Sequence, residues 1–185
     1  MILTREQLEL VIAQAKRDAP NETWGMIGGK DNRAQKIFPM KNVSPTPVTR
    51  YVADPPELLK TVRAIEDEHG WDILAIYHTH PATEPYPSAT DIAEAHYPDS
   101  IYIIISLKNP KQAKMRGYRI VEGKVAEITI EIEDEDESKS KSSPTHSRRD
   151  PRRANRPRAR RAVAALSKRR PARGKTRGTS RRVSK

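Results

Sequence analysis

Four side chains within fourteen residues of this 185-residue sequence, His78, His80, Ser88 and Asp91, are of types that could assemble a reaction centre. Two imidazoles and one carboxylate, with a fourth position left to water, form the donor pattern of a catalytic zinc rather than of a closed structural one. The sequence contains no cysteine, which excludes disulfides, thiol nucleophiles and thiolate-ligated metals and leaves His, Asp and Glu as the only strong ligands. Side chains two apart in a strand share a face, so His78 and His80 point the same way with Thr79 opposite. Pro81 ends the strand at once, and the expectation is that both imidazoles lie at the sheet rim rather than within the core. Each part has a plainer reading. Ser88-Ala89-Thr90-Asp91 alone is a helix capping box, and an isolated His-x-His is common in surface loops; what favours a metal is the two in succession.

The elements that must hold these residues can be read from pattern. Thr4 and Gln7 form a capping box, with Leu3 and Leu8 as a hydrophobic staple, and Leu8, Val11, Ile12 and Ala15 make one apolar stripe, predicting an amphipathic helix over residues 4 to 19. Glu22 stands at the mouth of a short buried strand closed by Gly28-Gly29; read locally, it is equally a solvated residue just beyond a helix. Residues 35 to 42 read as the partner strand. A proline-bearing loop covers Ser44 to Arg50, and Tyr51-Val52 reads as a short edge strand. Asp54-Pro55-Pro56-Glu57 opens a second helix, stopped at His69-Gly70. The apolar run Asp72 to Tyr77 predicts a central strand that delivers the histidines. A helical pattern follows from Ser88 to Ala95, then a strongly β-forming run, Ile101 to Leu107, and a hairpin of strands 113 to 122 and 124 to 132 around Glu122-Gly123. The fold class expected is α/β (α+β), a mixed sheet flanked by two or three helices.

Charge divides the chain. From Ser138 to Lys185 there are 19 Lys and Arg against a single acid, Asp150, a net of +18, whereas residues 1–137 hold 16 basic and 23 acidic residues, a net of −7. We therefore expect a folded domain over 1–132 and, over 133–185, a solvated acidic run followed by a disordered Arg/Lys/Pro/Ser-rich tail that cannot bury enough apolar surface to fold. Only Arg160 to Arg170 has the pattern of a transient helix. Such a tail would bind nucleic acid or other polyanions without sequence preference, and aromatic residues for base stacking are absent from it; a merely solvated extension is the alternative. The N-terminal stretch lacks a basic region followed by an apolar one and no window reaches eighteen apolar residues, so no membrane association and a cytoplasmic location are expected.

His78-Thr79-His80-Pro81, a gap of six residues, Ser88, a gap of two, Asp91, and a glutamate 56 residues before the first histidine resemble the JAMM or MPN+ metalloprotease signature. The resemblance covers about residues 2 to 132. Within the family, Phe38-Pro-Met-Lys-Asn42, Tyr77 to His80, Ala82 to Ser88 and Tyr118 to Val121 look like the small bacterial single-domain members. It implies a cytidine-deaminase-like MPN fold, one zinc per chain on His78, His80 and Asp91, Glu22 moving a proton from the attacking water to the leaving amine, and Ser88 hydrogen-bonding the oxyanion. It also implies hydrolysis of an amide or isopeptide bond at the C-terminus of a ubiquitin-like protein. For the bacterial subgroup that means release of cysteine from the Gly-Gly end of a sulfur carrier. Trp24 stands where relatives often carry cysteine or another smaller residue, and packing beneath the site is its expected role. Many MPN domains are scaffolds that have lost the metal residues; all five positions are present in this chain.

Overall fold

The computed structural model describes residues 1–109 and 111–134. The expected disordered tail, its helix at Arg160 to Arg170 and its polyanion binding lie outside the described residues.

Helix α1 (Arg5–Asp18) starts where its cap dictates: the Thr4 hydroxyl accepts the Gln7 N–H at 3.2 Å while the Gln7 side-chain oxygen accepts the Thr4 N–H at 3.0 Å. Its buried residues are Val11, Gln14 and Ala15. Leu8 and Ile12 are only half-buried, and Gln14 joins the buried face because its oxygen accepts the Tyr77 hydroxyl at 2.7 Å.

Strands β1 (Ile2–Thr4), β2 (Trp24–Lys30), β3 (Arg33–Met40), β4 (Asp72–His80), β5 (Ile101–Ser106), β6 (Lys114–Val121), β7 (Lys124–Ile128) and β8 (Glu131–Glu133) form one mixed sheet in the order β7-β6-β5-β4-β2-β3-β1-β8. β4 is central, antiparallel to β2 and parallel to β5. The crossover from β4 to β5 carries the short helix α3 (Ala89–Ala93). Helix α2 (Pro55–Arg63) is capped by the Asp54 carboxylate, and a π-helical turn (Ala64–Glu68) extends it. Among the described residues no helix is long and apolar enough to cross a membrane.

Residues 124–132 do not form the single strand expected. Thr129 and Ile130 break the run, and β8 leaves β7 to pair in parallel with β1 at the other end of the sheet. Laid flat, eight strands would set these ends roughly 34 Å apart at about 4.8 Å per strand. Two linking residues bridge at most about 11 Å, so the sheet must curl until its ends nearly meet. One apolar cluster accordingly gathers side chains from every strand, among them Leu3, Ile27, Ile37, Tyr77, Ile103, Met115, Ile128 and Ile132, together with Val11 and Ala15 of α1. The opposite face packs Trp24, Met26, Ile76 and Ile104 against Leu58, Val62 and Ile65 of α2 and its extension. One acid expected to be solvated belongs to this closure: Glu133 accepts N–H bonds from two Arg33 guanidinium nitrogens, at 2.6 and 3.1 Å; Asp134 is exposed as expected and pairs with Arg5 at 2.9 Å. Tyr51-Val52 is not a strand; an isolated bridge between Asn42 and Ala53 and the Val43 N–H to Val52 carbonyl bond tie this segment down. The Glu122-Gly123 turn is as expected, with positive φ of 50° and 77°.

At Gly25 the sheet leaves no room for a side chain: a Cβ would fall on the Tyr77 phenol and the Phe38 carbonyl oxygen. Tyr77 is fully buried and bonded to Gln14, so it has nowhere to retreat. Gly25→Ala is expected to cost about 1–3 kcal/mol, as overpacking generally does, read as a thermal midpoint lower by several degrees; an unchanged midpoint would contradict this close approach.

Candidate metal centre and active-site cleft

The site is built where β2 begins and β4 ends. In the antiparallel register Trp24 faces His78. One step further, Thr23 donates its N–H to the Thr79 hydroxyl at 2.8 Å and accepts the Thr79 N–H on its carbonyl at 2.9 Å. Glu22, adjacent to Thr23, is thereby delivered beside the His-x-His segment. Its backbone is tied on both sides, its N–H to the Pro47 carbonyl at 2.6 Å and its carbonyl to the Asn42 amide at 2.8 Å.

His78 and His80 share a face, as the strand period requires, with their Nε2 atoms 3.1 Å apart. They stand at the end of β4, as expected, and are buried there: exposure is 1% for His78 and 7% for His80. Strand pairing continues through His80, with His78 flanked by Trp24 on β2 and Ile104 on β5. Asp91, at N3 of α3, brings Oδ1 to 3.4 Å from His78 Nε2 and Oδ2 to 3.3 Å from His80 Nε2. Donor atoms of these three residues all lie within 4.8 Å of one another. The capping box orients the carboxylate: Ser88 donates its N–H to Asp91 Oδ2 at 2.7 Å, and its hydroxyl accepts the Asp91 N–H at 3.2 Å. That leaves the hydroxyl proton free to donate elsewhere.

The donor set suits zinc. His80 Nδ1 lies 3.1 Å from the Glu84 carbonyl, an acceptor that requires the proton on Nδ1, so that once the ring is neutral its Nε2 lone pair faces Asp91 and His78. This is the second-sphere contact that fixes a metal-binding imidazole. His78 Nδ1 has no such partner, although it is fully buried. Beside it, Tyr51 sets its ring 5.0 Å from the imidazole and stacks on Trp24 at 5.3 Å, and the indole N–H holds the Lys41 carbonyl at 2.9 Å. Trp24 thus packs beneath the site. Tyr51 was not singled out in the sequence; the available signal was a lone aromatic directly after a polar, proline-bearing loop, where only burial elsewhere explains it.

Glu22, His80, Ser88 and Asp91 line one cleft of about 250 Å³, walled by residues 48–51 and 81–83. Arg50 reaches across to Glu94 beyond α3 at 2.5 Å. Burial, reinforced by the Asp91 charge and opposed by His80, pushes Glu22 up to about 7 from its ordinary 4.5. Burial also penalises charge on His80, but the Asp91 carboxylate, the Glu84 carbonyl and Glu22 outweigh it and raise the imidazole above 6.5. Asp91 goes the other way: despite desolvation, hydrogen bonds from both histidines hold it far below the carboxylate range.

A half-buried carboxylate beside two imidazoles and a second carboxylate, at the end of a central strand, is the side-chain set of a metal-dependent hydrolase. A model of prokaryotic homologs of the JAB domain matches residues 4–121, and the chain belongs to this JAB/MPN family of JAMM metallopeptidases. It is 38% identical over 129 residues to the CysO-cysteine peptidase of Mycobacterium tuberculosis, spanning 69% of this chain and 87% of the relative. It is 41% identical over 97 residues to a probable TtuB-protein conjugate cleaving protease of Thermus thermophilus, spanning 52% and 64%. The solution structure of protein DSY2949 from Desulfitobacterium hafniense matches with a TM-score of 0.65 and 35% identity, covering 73% of this chain and 94% of that one.

The shifts carry a sign. The raised pKa of His80 favours folding below about 6.5, and that contribution fades as pH rises through the folded value. Glu22 acts in the same sense, opposing folding as it is forced to ionise between 4.5 and about 7. The Asp91 contribution is present above 3.8 and lost only in stronger acid. Metal-free protein should therefore lose thermal stability as pH rises from about 4.5 to 7 and on through the raised His80 value, while zinc affinity rises with pH because the proton on His80 must leave. Thermal unfolding in chelator and chelator-competition titration at each pH check this, and a metal-free midpoint that climbs with pH would contradict it.

Proposed function

We propose that this chain is a zinc-dependent peptidase that hydrolyses an amide or isopeptide bond at the Gly-Gly C-terminus of a ubiquitin-like sulfur-carrier protein, releasing cysteine from a carrier–cysteine adduct. The observation that carries the reading is the single cleft shared by Glu22, His80, Ser88 and Asp91. At about 250 Å³ it falls below the 300–1,000 Å³ of ordinary ligand pockets, a size compatible with a thin glycine tail. The match to a CysO-cysteine peptidase over most of both chains supports cysteine as the leaving group.

His78, His80 and Asp91 would hold one zinc. When bound, zinc acidifies water and polarises a carbonyl oxygen. Glu22, with a pKa near neutrality, accepts the proton of the attacking water and passes it to the amine nitrogen as the C–N bond breaks, giving a free carrier carboxylate and free cysteine. The Ser88 hydroxyl, whose lone pair is already engaged by the Asp91 N–H, points its proton at the oxygen that gains charge. An extended tail can lie as an added strand along the backbone at the cleft, its last carbonyl over the ligands.

Incubating the zinc-loaded protein with a carrier–cysteine adduct and following mass should show loss of one cysteine residue; an intact adduct would overturn the proposal. Glu22→Gln is expected to keep stoichiometric zinc and lower turnover about 10²- to 10⁴-fold, Ser88→Ala about 10²- to 10³-fold, and His80→Ala to lose the metal and nearly all activity.

A further inference from the structure

The two histidines are held differently. His80 has a hydrogen bond from Nδ1 to the Glu84 carbonyl at 3.1 Å. His78, the more deeply buried of the two, has a fully buried Nδ1 with no hydrogen-bond partner. Metal-binding imidazoles almost always rely on such a bond to fix ring rotation and tautomer, so something else must set the His78 ring.

What lies against it is a ladder of aromatic faces. Tyr51 stands between the Trp24 indole, at 5.3 Å and 25°, and the His78 imidazole, at 5.0 Å and 33°. Trp24 is in register with His78 across the β2–β4 pair, so both rise from the same face of the sheet. The indole is pinned by its bond to the Lys41 carbonyl. The backbone beside Tyr51 is pinned by Val52, whose N–H donates to the Asn42 side chain at 3.1 Å and whose carbonyl accepts the Val43 N–H at 3.0 Å. The indole and the backbone next to Tyr51 are thus held independently of His78, Tyr51 is stacked on the fixed indole, and its tilted ring contact leaves the imidazole few orientations.

We infer that Tyr51, backed by Trp24, is a positioning residue for His78, and that its ring face does for this ligand what the Glu84 carbonyl does for His80. The inference rests on the reading of His78 as a zinc ligand. Its chemistry is specific: a flat, apolar side chain is required at position 51, and the hydroxyl is not. It also assigns a use to the large residue at Trp24, which sets the depth at which Tyr51 sits.

The test compares zinc affinity of wild type, Tyr51→Phe and Tyr51→Leu by competition with a chelator, alongside imidazole proton shifts of the metal-free protein. Tyr51→Phe should bind within about two-fold of wild type, and Tyr51→Leu about 10- to 100-fold more weakly, the range expected when outer-sphere support is lost. Equal affinity of Tyr51→Leu and wild type overturns the inference, as does a loss in Tyr51→Phe as large as that in Tyr51→Leu, which would place the effect in the hydroxyl. In metal-free wild type the His78 ring protons should be displaced upfield of those of the exposed His96 by the Tyr51 ring, and remain so in Tyr51→Phe. Absence of that displacement overturns the inference whether or not Tyr51→Leu folds. A wild-type chain that takes up no zinc overturns the metal reading itself, and this inference with it.

Discussion

The site depends on one pair of hydrogen bonds. Thr79, between the two histidines, and Thr23, next to Glu22, each donate a backbone N–H to the other, 2.8 and 2.9 Å long, across a sequence gap of 56 residues. One ends on the Thr79 hydroxyl and the other on the Thr23 carbonyl, and together they fix the register one step beyond Trp24 and His78. Because side chains alternate, a one-residue slip in this register would turn both imidazoles to the α1 face and carry Glu22 away from them. Thr79 is completely buried on that opposite face, so the residue that sets the register stays out of the cleft it organises.

Around that constraint the chain reuses atoms. The Ser88–Asp91 capping box starts a helix of only five residues, yet the same bonds hold Asp91 Oδ2 toward His80 and leave the Ser88 proton available. A segment this short has little helical stability of its own; its order comes from the cap and from its neighbours. Tyr118 contributes by donating its hydroxyl to the Pro85 carbonyl, and Ser106 by donating to the Thr83 carbonyl. The loop that supplies Glu84 to His80 is thereby fastened to β5 and β6, the two strands beyond the histidines.

Local chemistry made much of this legible in the sequence. The Thr4–Gln7 and Ser88–Asp91 boxes, the Asp54 cap and the apolar runs of β4 and β5 each act over a few residues, and each stands where it was expected. Non-local pairing was less readable. Strands β1 and β8, three residues apiece, have no pattern of their own and exist because residues some 130 apart meet as the sheet closes. The closure takes Thr129 and Ile130 out of the hairpin and recruits Glu133 from what looked like a solvated run. The histidines stand at the strand end that Pro81 was expected to set; how deeply the neighbouring elements bury them there was not readable from pattern. Glu22 has no local feature that distinguishes it from a solvated glutamate, and only the resemblance to a family drew it into the site. Tyr51 lay beyond both kinds of reasoning, since its contacts cross from a loop to two strands.

His78, His80 and Asp91 are the three residues proposed to hold a single zinc ion within this curled sheet. Zinc-edge X-ray absorption on protein loaded with one equivalent of the metal tests this assignment most directly. The shell expected is two imidazole nitrogens and oxygen donors at about 2.0–2.2 Å, lost in His80→Ala. A shell with fewer than two imidazoles, or one unchanged in His80→Ala, would contradict it.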